Sequence, residues 1–450
     1  MKVVLPPHAP ARDDTEALIE EARRRARRRR RRRAALAAAA LSAGIGIGLL
    51  VSGGGGGRAG LDRRAGSGSG GGASSQARDS REARRIARVA TSDPVPEAQL
   101  LGGGTGWAMN GSGLYWTRND GRSWSVIEPP VLRHGDYDIA TRIGDVAYRA
   151  PGSIWVTMGD LIGARIHDGS SAYATIARTS DDGRTWRSGD APACEYRCGS
   201  QYVSFLTARR GYLLFSVDSP QRHRLDRTTD GGATWTPVGR APFGGEIQFT
   251  TAADGWAVSD PTRWIDGSQT PVGGGEVYRT TNGGRTWRRV RLTPPREEAG
   301  WPATASPPTF FGARRGVMPV RYRNPTGGEQ HLAVFTTADG GRTWVPHPAP
   351  AAADLRGDQW GVAPGLAFSA PSAHEWLFFA GRTLYATSDA GSRWGTVHAG
   401  IPAVAPYAIS FTTAASGWAI FSVSVGGERY PPVLVRTTDG GRRWAALAPH

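Results

Sequence analysis

An eight-residue motif recurs seven times along this chain, and it limits the possible folds more than any other feature. It reads TRNDGRSW (Thr117 to Trp124), TSDDGRTW (Thr179 to Trp186), TTDGGATW (Thr228 to Trp235) and TTNGGRTW (Thr280 to Trp287). It returns as TADGGRTW (Thr337 to Trp344), TSDAGSRW (Thr387 to Trp394) and TTDGGRRW (Thr437 to Trp444). Every copy fits T-x-[DN]-x-G-x-[TSR]-W, and the closing tryptophans step by 62, 49, 52, 57, 50 and 50 residues. A repeat of about fifty residues carrying a Gly-rich turn is the mark of a propeller or a solenoid.

Two β-like runs precede each motif. The last repeat shows them most clearly, with AISFTTA (Ala408 to Ala414), GWAIFSV (Gly417 to Val423), PVLVRTT (Pro432 to Thr438) and RRWAALA (Arg442 to Ala448). Alternating apolar and β-branched residues, bounded by Gly, Pro and Asp, predict four strands. The fourth repeat keeps the order with EIQFTTA, GWAVSD, EVYRTT and RTWRRV. Four such strands per period match one propeller blade. The expected fold is therefore all-β, a seven-bladed β-propeller with four-stranded blades over residues 93–450.

The octapeptide resembles the Asp-box of bacterial neuraminidase repeat propellers, S/T-x-D-x-G-x-T-W. That resemblance implies a place on the turn between a blade's third and fourth strands. The combined F-x-T…GWA…RTTDGG-x-TW unit is similar to the repeats of the photosystem II assembly and stability factor family and of related secreted bacterial propellers. It implies an extracytoplasmic seven-bladed propeller that assists assembly, a role which passes to this chain only by analogy.

The residue chemistry of the box is that of a turn. An Asp or Asn at its third position accepts backbone N–H bonds, and Gly at its fifth position takes φ > 0 without penalty. The Trp buries a large face between blades. The third positions are Asn119, Asp181, Asp230, Asn282, Asp339, Asp389 and Asp439, each followed by its own Trp, from Trp124 to Trp444. Asn119 and Asn282 stand where a catalytic carboxylate would be required, so no catalytic residue is expected in the boxes. Five further tryptophans, Trp107, Trp155, Trp256, Trp376 and Trp418, fall on second strands and read as core.

Function is expected on the opposite face, where the longer connections lie. It carries Asp160, Arg165, His167 and Asp168, then Arg263, Trp264 and Asp266, then Arg321, Tyr322, Arg323, Glu329 and His331, with Trp301 and Trp360. Arginine with aromatics is the composition of protein interfaces and of sugar-stacking platforms. The expected ligand is a protein partner or a glycan. No cofactor is expected, and nine scattered histidines give no metal cluster in the sequence.

The net charge of +16 is concentrated at one end. Residues 1–92 hold 20 Lys/Arg against 8 Asp/Glu, leaving a balance of +4 on the remainder. A nucleic-acid binder would need a basic patch on the folded part, so that class is set aside. The basicity peaks in Arg23 to Arg33 and gives way to nineteen uncharged residues, Ala34 to Ser52. That length suits a bilayer span, with the arginines on the cytoplasmic side. The expected organisation is a basic tail (1–33), a transmembrane signal-anchor (34–52), a Gly/Ser-rich linker (53–92) and the propeller outside a bacterial cell membrane. The alternative is secretion after signal cleavage. A monomer is expected. Cys194 and Cys198 are the only cysteines, and in an oxidising compartment they can close a small disulfide.

A sialidase-like or other propeller glycoside hydrolase is the competing reading. Sialidases require an arginine triad, a Tyr–Glu pair and an acid/base Asp. Their first arginine lies in an F/Y-R-I-P motif before the first box, and here the stretch Gln99 to Leu114 contains no arginine. The sequence favours a non-enzymatic binding module without deciding the matter.

Overall fold

The computed structural model describes residues 88–89, 95, 97–110, 113–127, 142–149, 152–159, 175–190, 201–216, 223–259, 262–265, 268–271, 275–326, 329–350, 355, 366–381, 383–398, 403–425, 428–429 and 432–449. The expected basic tail, the apolar stretch 34–52, Cys194 and Cys198 lie outside the described residues. Among the described residues no helix is long and apolar enough to cross a membrane.

Seven antiparallel sheets follow one another along the chain, each built from a contiguous segment in the order A-B-C-D. Blade 1 runs from strand A, Glu97–Gly102, through Thr105–Asn110 and Gly113–Thr117 to strand D, Ser125–Val126. Blade 7 ends the series with Ala403–Phe411, Gly417–Val425, Val433–Thr437 and Ala445–Leu447. Most blades have four strands. In blade 5, strand A is split into Ala303–Ala305 and Thr309–Phe311, both paired with strand B, Arg315–Arg323. The protein is an all-β, seven-bladed propeller.

The core sits between blades rather than within them, because a single twisted sheet has two faces to cover. Seven buried clusters occupy the seven interfaces. Between blades 1 and 2, for example, Trp107, Trp116 and Ile127 meet Ile154, Val156 and Ala177. Trp116, Trp155, Trp256, Trp376 and Trp418 are among the largest fully buried side chains. The second-strand tryptophans are thus core, as the sequence predicts.

The F…GW pattern of the repeats has a packing cause. The strand A phenylalanine pairs directly opposite the strand B glycine in Phe205/Gly211, Phe249/Gly255 and Phe411/Gly417. In each case the ring lies where a Cβ on that glycine would stand, within 2.4–2.7 Å of it. The aromatic covers the glycine, and the glycine makes room for the aromatic.

Strands A of blades 2 and 3, 3 and 4, 6 and 7, and 7 and 1 touch one another, which places them at the axis. A polar tie links them from blade to blade. Ser204 Oγ accepts the amide of Phe249 at 2.9 Å, and Ser369 Oγ accepts that of Phe411 at 2.9 Å. Ser410 Oγ accepts the amide of Leu100 at 3.3 Å and donates to its carbonyl at 2.9 Å. This last tie joins blade 7 to blade 1, so the ring closes with the same contact that links its interior blades. Closure is reinforced by Trp124 against Trp418, with centroids 5.5 Å apart. Val95, fully buried, donates its amide to the carbonyl of Pro432 at 2.9 Å, so the segment entering blade 1 is pinned to blade 7.

Candidate functional site

The boxes build one face of the disc. In all seven, the first-position threonine hydroxyl accepts the amide of the fifth-position glycine, at 2.8–3.1 Å. The same hydroxyl donates to the third-position side chain, at 2.6–3.0 Å. That side chain accepts the amide of the seventh residue at 2.9–3.0 Å in every box. In the Asn boxes the amide group donates to the seventh-position hydroxyl, as Asn119 does to Ser123 and Asn282 to Thr286, both at 2.8 Å. In three Asp boxes the direction reverses, and Thr185, Thr234 and Thr343 donate to the carboxylate at 2.6–2.7 Å. The turn therefore takes either residue, which a proton-transfer role would not allow.

These bonds hold Asp181, Asp230, Asp339 and Asp389 well below the usual carboxylate range. For Asp181 the Thr179 and Thr185 hydroxyls come first, and for Asp230 the Thr234 hydroxyl followed by its amide. For Asp339 and Asp389 the seventh-position amide comes first. The fourth position also has positive φ, in Asp120 and Asp182 (both 58°) and Ala390 (56°) as well as in four glycines. Its amide reaches the A–B turn of the same blade, as in Gly231 to Arg209 O at 2.7 Å and Gly440 to Ala415 O at 2.9 Å. The A–B turns and the boxes thus share one face, stitched by backbone bonds.

The far ends of the strands define the opposite face. Strand C of blade 5, Gln330–Thr337, runs from that face to its box. The six residue steps from His331 to Thr337 span roughly 20 Å of extended chain. At the far end, His331 pairs across the sheet with Tyr322. The expected long loop at 320–331 is largely regular strand, since strand B continues to Arg323 and strand C begins at Gln330. Alternation then sends successive side chains to opposite sheet faces. Tyr322, expected on the binding face, is instead 3% exposed and packs in the blade 4–5 core with Ala305 and Val320. Arg323 is exposed and Arg321 half-buried. Burial pushes the Arg321 guanidinium down, and neighbouring Arg323 adds to it.

His331 organises this end of the blade. Its Nδ1 lies 2.7 Å from Glu298 Oε1, and its Nε2 lies 3.1 Å from Glu329 Oε1. Trp301 covers the ring with centroids 4.9 Å apart. Burial disfavours the imidazolium, but the two carboxylates outweigh it and raise the His331 pKa above its ordinary value. Glu298 comes from a short 3-10 turn, Arg296–Glu298, set by the bond from its own amide to Pro295 O and by Trp301 N to Glu298 O. Glu297 and Glu298 were not among the sequence-predicted residues. Nothing in PPREEAG distinguishes them until the 3-10 turn and the start of strand C are brought together.

Arg263 and Trp264 lie on a two-stranded hairpin, Thr262–Ile265 with Ser268–Pro271, where Trp264 pairs with Gln269. Within the expected loop, the described residues pair as a two-stranded ribbon. Asp160, Arg165, His167, Asp168, Asp266 and Trp360 lie outside the described residues.

One acidic group lies at the axis. Asp145, in strand A of blade 2 (Arg142–Arg149), accepts the amide of its neighbour Val146 at 2.8 Å and that of Val203 in blade 3 at 2.9 Å. It makes the same kind of inter-blade tie as the serines of blades 3, 6 and 7, two residues earlier on strand A, since Ala147 holds the serine-equivalent position. Burial pushes it up to about 7, with Glu246 and Glu97 adding and the two amides opposing. Its bonds are those of an inter-blade tie.

The fold is a seven-bladed β-propeller with one face built from its box turns. Among solved structures the chain is similar to YCF48 bound to D1 peptide (17% identity, 69% of this chain and 81% of that one, TM-score 0.42). It is similar to YCF48 from Cyanidioschyzon merolae (13%, 77% and 96%, TM-score 0.46). It is also similar to the GH74 xyloglucanase from Xanthomonas campestris (13%, 80% and 68%, TM-score 0.37). No protein-family model and no curated protein matches the chain.

Proposed function

We propose that this chain is a non-enzymatic binding propeller that presents the face opposite its boxes to a protein partner. The observation that carries this reading is the blade 5 end. There Trp301, His331, Arg321 and the exposed Arg323 and Glu329 are set by strands and a 3-10 turn rather than by a free loop. Aromatic and arginine side chains held on a rigid frame lose little conformational entropy on binding. Two of the carboxylates at this end, Glu298 and Glu329, face His331. The boxes contribute stability and no chemistry. The Arg23 to Arg33 run before the uncharged stretch 34–52 supports display from a membrane, with the propeller extracytoplasmic.

The test uses the full chain in its own membrane. Crosslinking is expected to capture a membrane-protein partner with the wild type and with Asp339→Asn. Arg323→Glu should lose it while keeping the wild-type thermal midpoint. Turnover of a fluorogenic glycoside that depends on loop-face acids would replace this reading with the hydrolase one.

A further inference from the structure

The blade 5 cluster has the donor set of a metal site. One ligand atom from each of Glu297, Glu298 and His331 lies within 4.8 Å of the others. An acidic surface patch would be unremarkable, but Glu298 is 5% exposed, and its Oε2 has no hydrogen-bond partner. A buried carboxylate oxygen without a partner is costly, and here it belongs to the residue already turned toward an imidazole. Glu297 is exposed and gives an entry path from solvent.

We propose that Glu297, Glu298 and the Nδ1 atom of His331 bind a divalent transition-metal ion, of which Zn2+ is the probe. One imidazole nitrogen with carboxylate oxygens suits zinc better than the all-oxygen shells of calcium or magnesium. Zinc ligands at 2.0–2.2 Å stand roughly 3.4 Å apart in a tetrahedron. The 2.7 Å between His331 Nδ1 and Glu298 Oε1 must therefore widen slightly, and the exposed Glu297 must swing inward. Glu329 Oε1 lies 3.1 Å from Nε2, out of line for a hydrogen bond as it stands, and a small rotation would let it orient the metal-bound histidine from behind. Three protein ligands leave a coordination position open to water or an incoming donor. Nine scattered histidines gave no hint of this in the sequence, because the cluster joins a D–A connection to the start of a strand more than thirty residues later. The inference stands whether or not this face also docks a protein.

The test is calorimetric titration of the chelator-stripped full chain with Zn2+. One site with a Kd in the micromolar range or tighter is expected. Glu297→Gln should weaken it at least tenfold, Glu329→Gln by about ten- to a hundredfold, and His331→Gln should remove it, with circular dichroism unchanged. If His331→Gln fails to fold, Glu297→Gln decides, since its side chain is exposed and carries no packing. Absence of binding at 100-fold metal excess, or equal affinity in the wild type and Glu297→Gln, would overturn the proposal.

Discussion

Trp155 in strand B of blade 2 donates its indole N–H to the carbonyl of Gly231 in the blade 3 box, at 2.9 Å. The same box carbonyl accepts Arg178 of blade 2 at 3.0 Å. The relationship recurs around the ring: Arg279 reaches Gly341 O, and Arg436 reaches Asp120 O across the closure. A box therefore does more than turn its own chain; it is the socket for the preceding blade. Trp155→Phe keeps the stacking on Phe205, whose centroid is 3.7 Å away, and loses only the bond. The expected cost is about 1–2 kcal/mol, against about 3–5 kcal/mol for Trp155→Ala. Urea unfolding midpoints of the two variants measure the difference.

The fourth and fifth box positions both have positive φ but differ in room. Gly340→Ala would place its Cβ 3.1 Å from Ala313 O, and Ala390 already occupies the equivalent place in blade 6. Gly341→Ala would place its Cβ 2.1 Å from the Trp256 ring. The first change should cost about 1–2 kcal/mol from backbone strain alone. The second should cost about 3 kcal/mol or more, adding overpacking. Equal losses in thermal unfolding would refute the socket argument.

Asp339 tests the turn and its charge separately. Asparagine fills the same place in two boxes with the same geometry, so Asp339→Asn should cost under about 1 kcal/mol at neutral pH. Asp339→Ala leaves the amides of Arg342 and Thr343 without their acceptor, at 2.8 and 3.0 Å, and should cost about 2–3 kcal/mol. The Asp339 carboxylate is depressed in the folded chain. Its stabilisation is full above the unfolded value of about 3.9 and is lost as pH falls through the folded value. Lowering the pH from 7 to 3 should therefore destabilise the wild type more than Asp339→Asn.

Asp145 runs the other way. Its folded pKa is raised to about 7, so its contribution is most favourable below the unfolded value of about 3.9 and declines as pH climbs toward 7. Glu246, exposed on strand A of blade 4, is one cause of that shift. Glu246→Gln should lower the Asp145 pKa and shrink the stability lost between pH 5 and 8. Carboxyl carbon NMR of Asp145 reads the first effect, and denaturant midpoints read the second. An unmoved resonance titration would show that Glu246 is not a cause.

The blade count was legible because the box is a local device. Its threonine, its Asp or Asn and its glycine satisfy one another within eight residues, so the same letters recur wherever the turn recurs. Phe249 and Gly255 were visible as a pattern, though their reason, a ring covering a missing side chain, was not. The candidate site was legible only in part. Of the residues expected on that face, Trp301 and Glu329 lie against His331, and Arg323 is exposed. Tyr322 was misassigned because a loop was expected where strand B continues, and strand alternation turned it inward.

By itself the sequence determined seven four-stranded units, their strand order, and a face built from the boxes, since these depend on contacts within a turn or between adjacent strands. Only the tertiary structure decided how the ring closes, through Ser410 and Leu100, and that Asp145 is a tie at the axis. It alone brought Glu298 to His331. Those pairings join residues whose separation along the chain runs from 33 to 310 positions. No local periodicity encodes such distances. They follow from the order in which blades pack around a common axis.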